Sequence, residues 1–297
     1  MLDRQGRRGL VEVEPASDLN PKGLRDLNHD GRIDMAMTSD CGVNVFLASP
    51  RLAALARLDL RLGCVSMLLG RSMSPLKIIA TGLNVLLWPT LILTLGGDVR
   101  WVEAWIFDVW FVSLCAGTIV WLARENPALL AERYRASGGG QKGWDRFAVA
   151  GLMLGFLSWI ALMPLDARRF RWSPPFPLTV EMLGGALLLG ASFFLFRSFR
   201  DNTYLSPLVR IQSERQHSVV TTGVYGFVRH PMYLGALLMF FGGPLLLGSV
   251  AGVALAFALT LLLAARAMGE EKMLLEELAG YAEYRNKVRY RLIPGVW

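Results

Sequence analysis

Arg229, His230 and Tyr233 lie close together in the stretch Gly223-Val224-Tyr225-Gly226-Phe227-Val228-Arg229-His230-Pro231-Met232-Tyr233-Leu234-Gly235, at the entrance to a long apolar run. A guanidinium, an imidazole and a phenol together can bind a carboxylate, hold a proton and pack against an aromatic ring. Pro231 suits the first turn of a helix, and its ring biases His230 toward extended backbone. Arg229 and His230 are therefore expected on the approach to that helix and Tyr233 inside its first turn.

Two further clusters carry charge beside apolar sequence. In Arg266-Ala267-Met268-Gly269-Glu270-Glu271, Arg266 and Glu270 are four apart and share a helix face, so both can point at one ligand. The tail from Gly280 to Trp297 alternates cations with tyrosine and tryptophan, as a segment lying at the lipid headgroup level does. Each cluster alone has a plainer meaning: a charged helix end in the first case, membrane anchoring in the second.

The elements that must position these residues are membrane helices. Apolar residues make up 53% of the chain and fall in blocks at 76–96, 104–123, 147–165, 178–198 and 232–266. The last block is too long for one crossing of a ~30 Å hydrocarbon core. Gly242-Gly243-Pro244 and Gly248-Ser249 interrupt its middle, which predicts a hairpin returning Arg266 to the side of Tyr233. The fold expected is all-α, a multi-pass transmembrane bundle of about five to six helices ending in that hairpin.

The net charge of +7 is carried by loops beside the apolar blocks, including Arg124, Arg133 and Lys142, then Arg200, Arg210 and Arg215, then Arg285, Lys287 and Arg289. By the positive-inside rule these segments are cytoplasmic, and no nucleic-acid partner is called for. Arg168, Arg169 and Arg171 run against the rule, on the opposite side. Three cysteines, Cys41, Cys64 and Cys115, give neither zinc spacing nor a disulfide framework, and no metal site is expected.

Residues 1–72 read as a separate, poorly ordered extension, with Met73 a natural start for a membrane domain over 73–297. Asp26 to Asp34 has the alternating oxygens and central glycine of a calcium loop, but Met37 stands where a bidentate carboxylate belongs. The stretch from Asp26 to Ala48 resembles one repeat of the FG-GAP or VCBS type, and a single repeat has no neighbour to bury its faces against. Gly138-Gly139-Gly140-Gln141-Lys142-Gly143 lacks a phosphate-loop ending and reads as a flexible linker. No G-x-G-x-x-G follows a strand pattern, which argues against a soluble dinucleotide-type domain.

Taken together, Gly223-Val224-Tyr225, Arg229-His230-Pro231-Met232-Tyr233-Leu234-Gly235, Glu270-Glu271 and Tyr281-Ala282-Glu283-Tyr284 resemble the isoprenylcysteine carboxyl methyltransferase and phospholipid methyltransferase superfamily of integral membrane enzymes, over roughly 73–297. The resemblance implies an S-adenosylmethionine pocket in the carboxy-terminal half, beside the cytoplasmic face, open to a lipophilic or lipidated acceptor from the bilayer. It implies cofactor contacts from Gln212, His217, Ser218, Val219, Val220, Tyr225, His230, Pro231, Met232, Tyr233 and Glu270, with Arg266 as the catalytic residue placed toward the acceptor. Arg229 and Glu271 complete the expected cofactor set, because S-adenosylmethionine offers a carboxylate for a cation and hydroxyls and an ammonium for a carboxylate.

The chemistry implied is in-line displacement of a sulfonium methyl, driven by alignment and exclusion of water. A carboxylate acceptor of the isoprenylcysteine type needs no general base; a phospholipid amine or a small thiol does. Two alternatives stand beside this: a membrane-embedded NADPH-dependent reductase of the sterol reductase type, and a non-enzymatic membrane scaffold in which Arg229, His230 and Glu270 only brace loops.

Overall fold

A computed structural model describes residues 35–38, 44–47, 75–134 and 141–297, with side chains from residue 81 onward. The chain divides into two units, Met1–Cys64 and Val65–Trp297. In the first, strands β1 (Met35–Thr38) and β2 (Asn44–Leu47) pair antiparallel, Met35 opposite Leu47. The calcium-loop stretch, Met73, Cys41, Cys64 and Gly138 to Gly140 lie outside the described residues.

The second unit is helical, as expected. Helix α1 (Pro75–Gly96) leads to α2 (Val102–Glu125) through a turn at Gly97, whose φ is +69°. Asn126 ends α2 and starts the short α3 (Pro127–Arg133): its side chain accepts a hydrogen bond from the Leu129 amide at 3.1 Å, with proline at the first helical position. Then come α4 (Gly143–Pro164), prolonged by a π-turn at Leu165–Arg169, α5 (Leu178–Asp201), α6 (Pro231–Leu247), α7 (Val250–Glu277) and α8 (Tyr281–Lys287). Among the described residues, four segments are long and apolar enough to cross a membrane: α2, α4 with its π-turn, α5 and α7. Helix α6 is a shorter apolar helix; its 17 residues reach about 25 Å, less than a full hydrocarbon core.

The hairpin turns at Gly248, φ +78°, and Ser249, whose hydroxyl caps α7 by accepting from the Gly252 amide at 2.9 Å. Gly242, Gly243 and Pro244, expected to help break the run, stay inside α6. These glycines serve packing. A Cβ on Gly184 of α5 would lie 2.3 Å from the Leu246 nitrogen, and one on Gly242 would lie 2.9 Å from the Gly184 carbonyl oxygen. Small residues thus bring the α5 and α6 backbones together, and Gly243 admits the ring of Trp159, itself fully buried at the centre of the core.

The bundle has two polar ends. At one, Asp166 accepts from Ser173, Ser249 and the Ala251 amide at 2.7, 2.6 and 3.0 Å, tying the π-turn to the start of α7. Arg168, which ran against the charge rule, is paired there: its Nε donates to Asp98 Oδ2 at 2.8 Å. The opposite end gathers the candidate residues.

Gly184→Val should destabilise the detergent-solubilised protein by about 3 kcal/mol, since the clash is with backbone. Gly185→Val, whose Cβ would meet nothing within 4 Å, should be close to neutral in the same thermal unfolding measurement. Equal losses in both would contradict the close α5–α6 contact.

Candidate active site

Between α5 and α6 the chain forms a braced loop. Asp201, at the end of α5, accepts from the Val224 amide at 2.9 Å where Gly223 turns with φ +61°. Tyr204 and His217 stack with centroids 4.5 Å apart and planes 28° from parallel. Buried Gln212 holds both: its side chain donates to the Tyr204 carbonyl at 2.5 Å, and its amide donates to His217 Nδ1 at 3.4 Å. Burial lowers the His217 pKa, favouring the neutral ring that this acceptor role requires.

The approach to α6 is built around a buried carboxylate. Glu271 on α7 accepts from Arg229 Nε at 2.6 Å and from Arg291 Nε at 2.8 Å, with His230 Nε2 at 3.3 Å. Arg229 Nη1 donates to the Val288 and Arg289 carbonyls, each at 2.7 Å. The tail clamps the same segment from its other side: the Arg229 amide donates to the Tyr290 carbonyl at 3.0 Å, and the His230 amide to the Arg291 carbonyl at 2.9 Å. With Pro231 as the first helical residue, His230 lies parallel to Tyr233 at 5.3 Å, and the Tyr233 hydroxyl donates to Glu270 Oε2 at 2.7 Å.

Arg266, one turn before Glu270, donates through Nε to Asp145 Oδ1 at 2.9 Å and through Nη2 to the Pro207 carbonyl at 2.7 Å. Asp145 is fully buried in the first turn of α4, and its Oδ2 also accepts from the Val209 amide at 2.9 Å and the Gln141 side chain at 3.0 Å. The described end of the glycine-rich stretch, expected to be a free linker, is therefore anchored where it meets α4. An acid at that helix start was visible in the sequence. Its partner, more than a hundred positions away, was not.

These contacts enclose a cavity of about 250 Å³. His217, Ser218, Val219, Val220, Tyr225, Arg229, His230, Met232, Tyr233, Arg266 and Glu270 all line it. Gln212, Pro231 and Glu271 do not line it; Gln212 and Glu271 brace groups that do. Tyr204, Asn202, Tyr281 and Tyr284 line it without having been singled out as ligands. Among the described residues the buried Tyr281 hydroxyl finds no hydrogen-bond partner, and that of Tyr225 has only the Asn202 and Ser198 side chains near it, leaving polar atoms for a guest to satisfy. A second cavity of about 620 Å³, lined mostly by apolar side chains of α1, α2, α5 and α6, shares Arg133 and Met232 with the first.

Fold and site define a multi-pass helical membrane protein with a cavity that holds charged and aromatic side chains at one end of its bundle. Residues 180–280 match the phospholipid methyltransferase family. The chain is 31% identical over 138 residues to protein-S-isoprenylcysteine O-methyltransferase B of Arabidopsis thaliana, covering 46% of this chain and 66% of that protein. It is 41% identical over 85 residues to the corresponding protein of Saccharomyces cerevisiae, covering 28% of this chain and 36% of that one. The matches thus span at most about two thirds of these relatives. Among solved structures, a eukaryotic intramembrane Ras methyltransferase, isoprenylcysteine carboxyl methyltransferase, aligns with a TM-score of 0.48 and 17% identity over 84% of this chain and 88% of that chain. The chain belongs to the isoprenylcysteine carboxyl methyltransferase and phospholipid methyltransferase superfamily.

Glu271→Gln should cost about 3–5 kcal/mol, because it leaves buried Arg229 without its counter-charge. Thermal unfolding in detergent reads this, and stability equal to the parent would contradict the bracing role. For His217 the lowered folded pKa means that, as pH falls through the ordinary imidazole range, the unfolded chain takes up a proton before the folded one does. Stability should therefore drop from about pH 7 to about pH 6, and that part of the drop should vanish in His217→Gln.

Proposed function

We propose that the protein is an S-adenosylmethionine-dependent methyltransferase acting on a lipophilic acceptor, most simply a carboxylate of the isoprenylcysteine type, with its active site facing the cytoplasm. The observation that carries this reading is the meeting of two cavities: one that sets Glu270, His230 and stacked aromatic rings among apolar side chains, the other lined mostly by apolar side chains and formed between membrane helices. Names of the relatives point the same way. The methyltransferase domain spans 73–297 and works without residues 1–72.

The cavity's chemistry fits the cofactor. Glu270 has one oxygen held by Tyr233 and is only partly exposed, which leaves carboxylate capacity for an ammonium or ribose hydroxyl. Tyr204 and His217 offer a flat aromatic wall for a purine, and the buried Tyr225 and Tyr281 hydroxyls offer donors. When bound, the cofactor supplies an electrophilic methyl on a sulfonium. The protein's contribution is alignment and dryness. Burial of Arg229 and the tail clamp fix His230 and Tyr233 against the cofactor space, and the apolar cavity keeps water from the acceptor side. Arg266, held by Asp145, acts as a positioning residue for the loop that carries Pro207.

Calorimetric titration should find S-adenosylmethionine and its demethylated product bound by the parent protein and by a 73–297 variant. Glu270→Gln and His230→Ala should each weaken that binding at least tenfold, while the thermal transition persists. Unchanged affinity in both variants would overturn the site assignment. Selective binding of reduced nicotinamide dinucleotide phosphate would point to a reductase instead.

A further inference from the structure

The acceptor's charge needs a reader, and the arginines around the cavity differ sharply in what already faces them. Arg210 is buried against Glu132 and also meets Glu214; Arg229 and Arg291 share Glu271; Arg266 meets Asp145. In each pair the carboxylate offsets the cation, and most of these guanidinium donors are already spent. Arg133 is different. At the end of α3 it makes no ion pair or hydrogen bond among the described residues, and its guanidinium lies over the face of Phe199 with Cζ 5.1 Å from the ring centroid.

Its position is also distinctive. Arg133 and Met232 line both cavities, so Arg133 stands where the cavity that holds Glu270 and His230 meets the apolar space between helices. Phe199, under the guanidinium, belongs to the apolar wall. Burial, then the neighbouring positive charge of Arg266, lowers the Arg133 pKa to about 10, so it remains a cation at neutral pH. Glu132 acts on it only at a distance and is held by Arg210, so among the described residues this half-buried guanidinium, with a ring on one face, meets no carboxylate directly and keeps its donors for an arriving anion. Its planar fork matches a carboxylate bidentately.

We propose that Arg133 binds the carboxylate of a lipid-borne acceptor at the junction of the two cavities. This inference rests on the methyltransferase reading given above. The apolar chain of the acceptor occupies the cavity between α1, α2, α5 and α6, and Arg133 holds the carboxylate at the edge of the polar cavity. In the transfer, a carboxylate oxygen forms a bond to the methyl carbon while the carbon–sulfur bond breaks and its electron pair stays on sulfur. No proton moves; the products are a methyl ester and a neutral thioether. Neutralising the carboxylate ends the ion pair, which favours release of the ester from Arg133.

The test compares equilibrium binding of N-acetyl-S-farnesylcysteine and its carboxamide to the full chain in detergent micelles, with S-adenosylhomocysteine present and its own affinity measured. The parent protein should prefer the carboxylate at least tenfold. Arg133→Gln should bind the two alike and keep its S-adenosylhomocysteine affinity, and Arg133→Lys should retain part of the preference. Should Arg133→Gln lose S-adenosylhomocysteine as well, Arg133→Met repeats the comparison with the apolar stem preserved. A preference undiminished without Arg133, or no preference in the parent, would overturn this assignment and leave the methyltransferase reading standing. Failure of the parent to bind S-adenosylhomocysteine would remove the reading on which it rests.

Discussion

The site depends on one buried carboxylate. Glu271 is contacted by Arg229, Arg291 and His230, and so joins α7, the approach to α6 and the tail in a single charged knot. That knot, with the Tyr233–Glu270 hydrogen bond, fixes the backbone around His230 relative to Glu270, which sits on the preceding residue of the same helix and faces the cavity instead. Adjacent residues on a helix point about 100° apart, so one carboxylate of the pair can brace while its neighbour faces a ligand. The short hydrogen bonds of Arg229 to two tail carbonyls extend the same logic. The tail is a structural part of the site.

The membrane sets the second constraint. A polar cavity beside a bilayer must be assembled where helices end, because side chains and loop carbonyls can be satisfied there without crossing hydrocarbon. The hairpin of α6 and α7 does this by returning the chain to the level from which it set out, and the glycine contacts between α5 and α6 hold its first arm tightly against the bundle. The wider gap between α1, α2 and α5 is left to apolar side chains. Polar and apolar spaces therefore meet at the helix ends, where α3 delivers Arg133.

Much of this was legible from local sequence. The proline after His230 marked the start of α6, apolar blocks marked the helices, and the four-residue spacing of Arg266 and Glu270 put both at the cavity. What local pattern did not carry was partnership at long range. Asp145 reaches Arg266 across 121 positions, and Glu132 reaches Arg210 across 78, distances over which no periodicity operates. Nor did composition distinguish a glycine that turns from one that packs: Gly248 turns the hairpin, whereas Gly242 and Gly243, equally suggestive in sequence, lie inside α6 against neighbouring helices. Gln212, grouped with the ligands by resemblance, and Glu271, grouped with them for its carboxylate, lie behind the cavity wall because their polar atoms are consumed by the loop and the tail.

The central claim is that methyl donor and lipid acceptor meet at this end of the bundle. Its most direct measurement is transfer of a tritiated methyl from S-adenosylmethionine to N-acetyl-S-farnesylcysteine by the full chain reconstituted in bilayers. The account predicts label recovered in the lipid fraction and released by mild base as methanol, as an ester requires. Label that stays at background while the reconstituted protein remains folded and binds both compounds would contradict it.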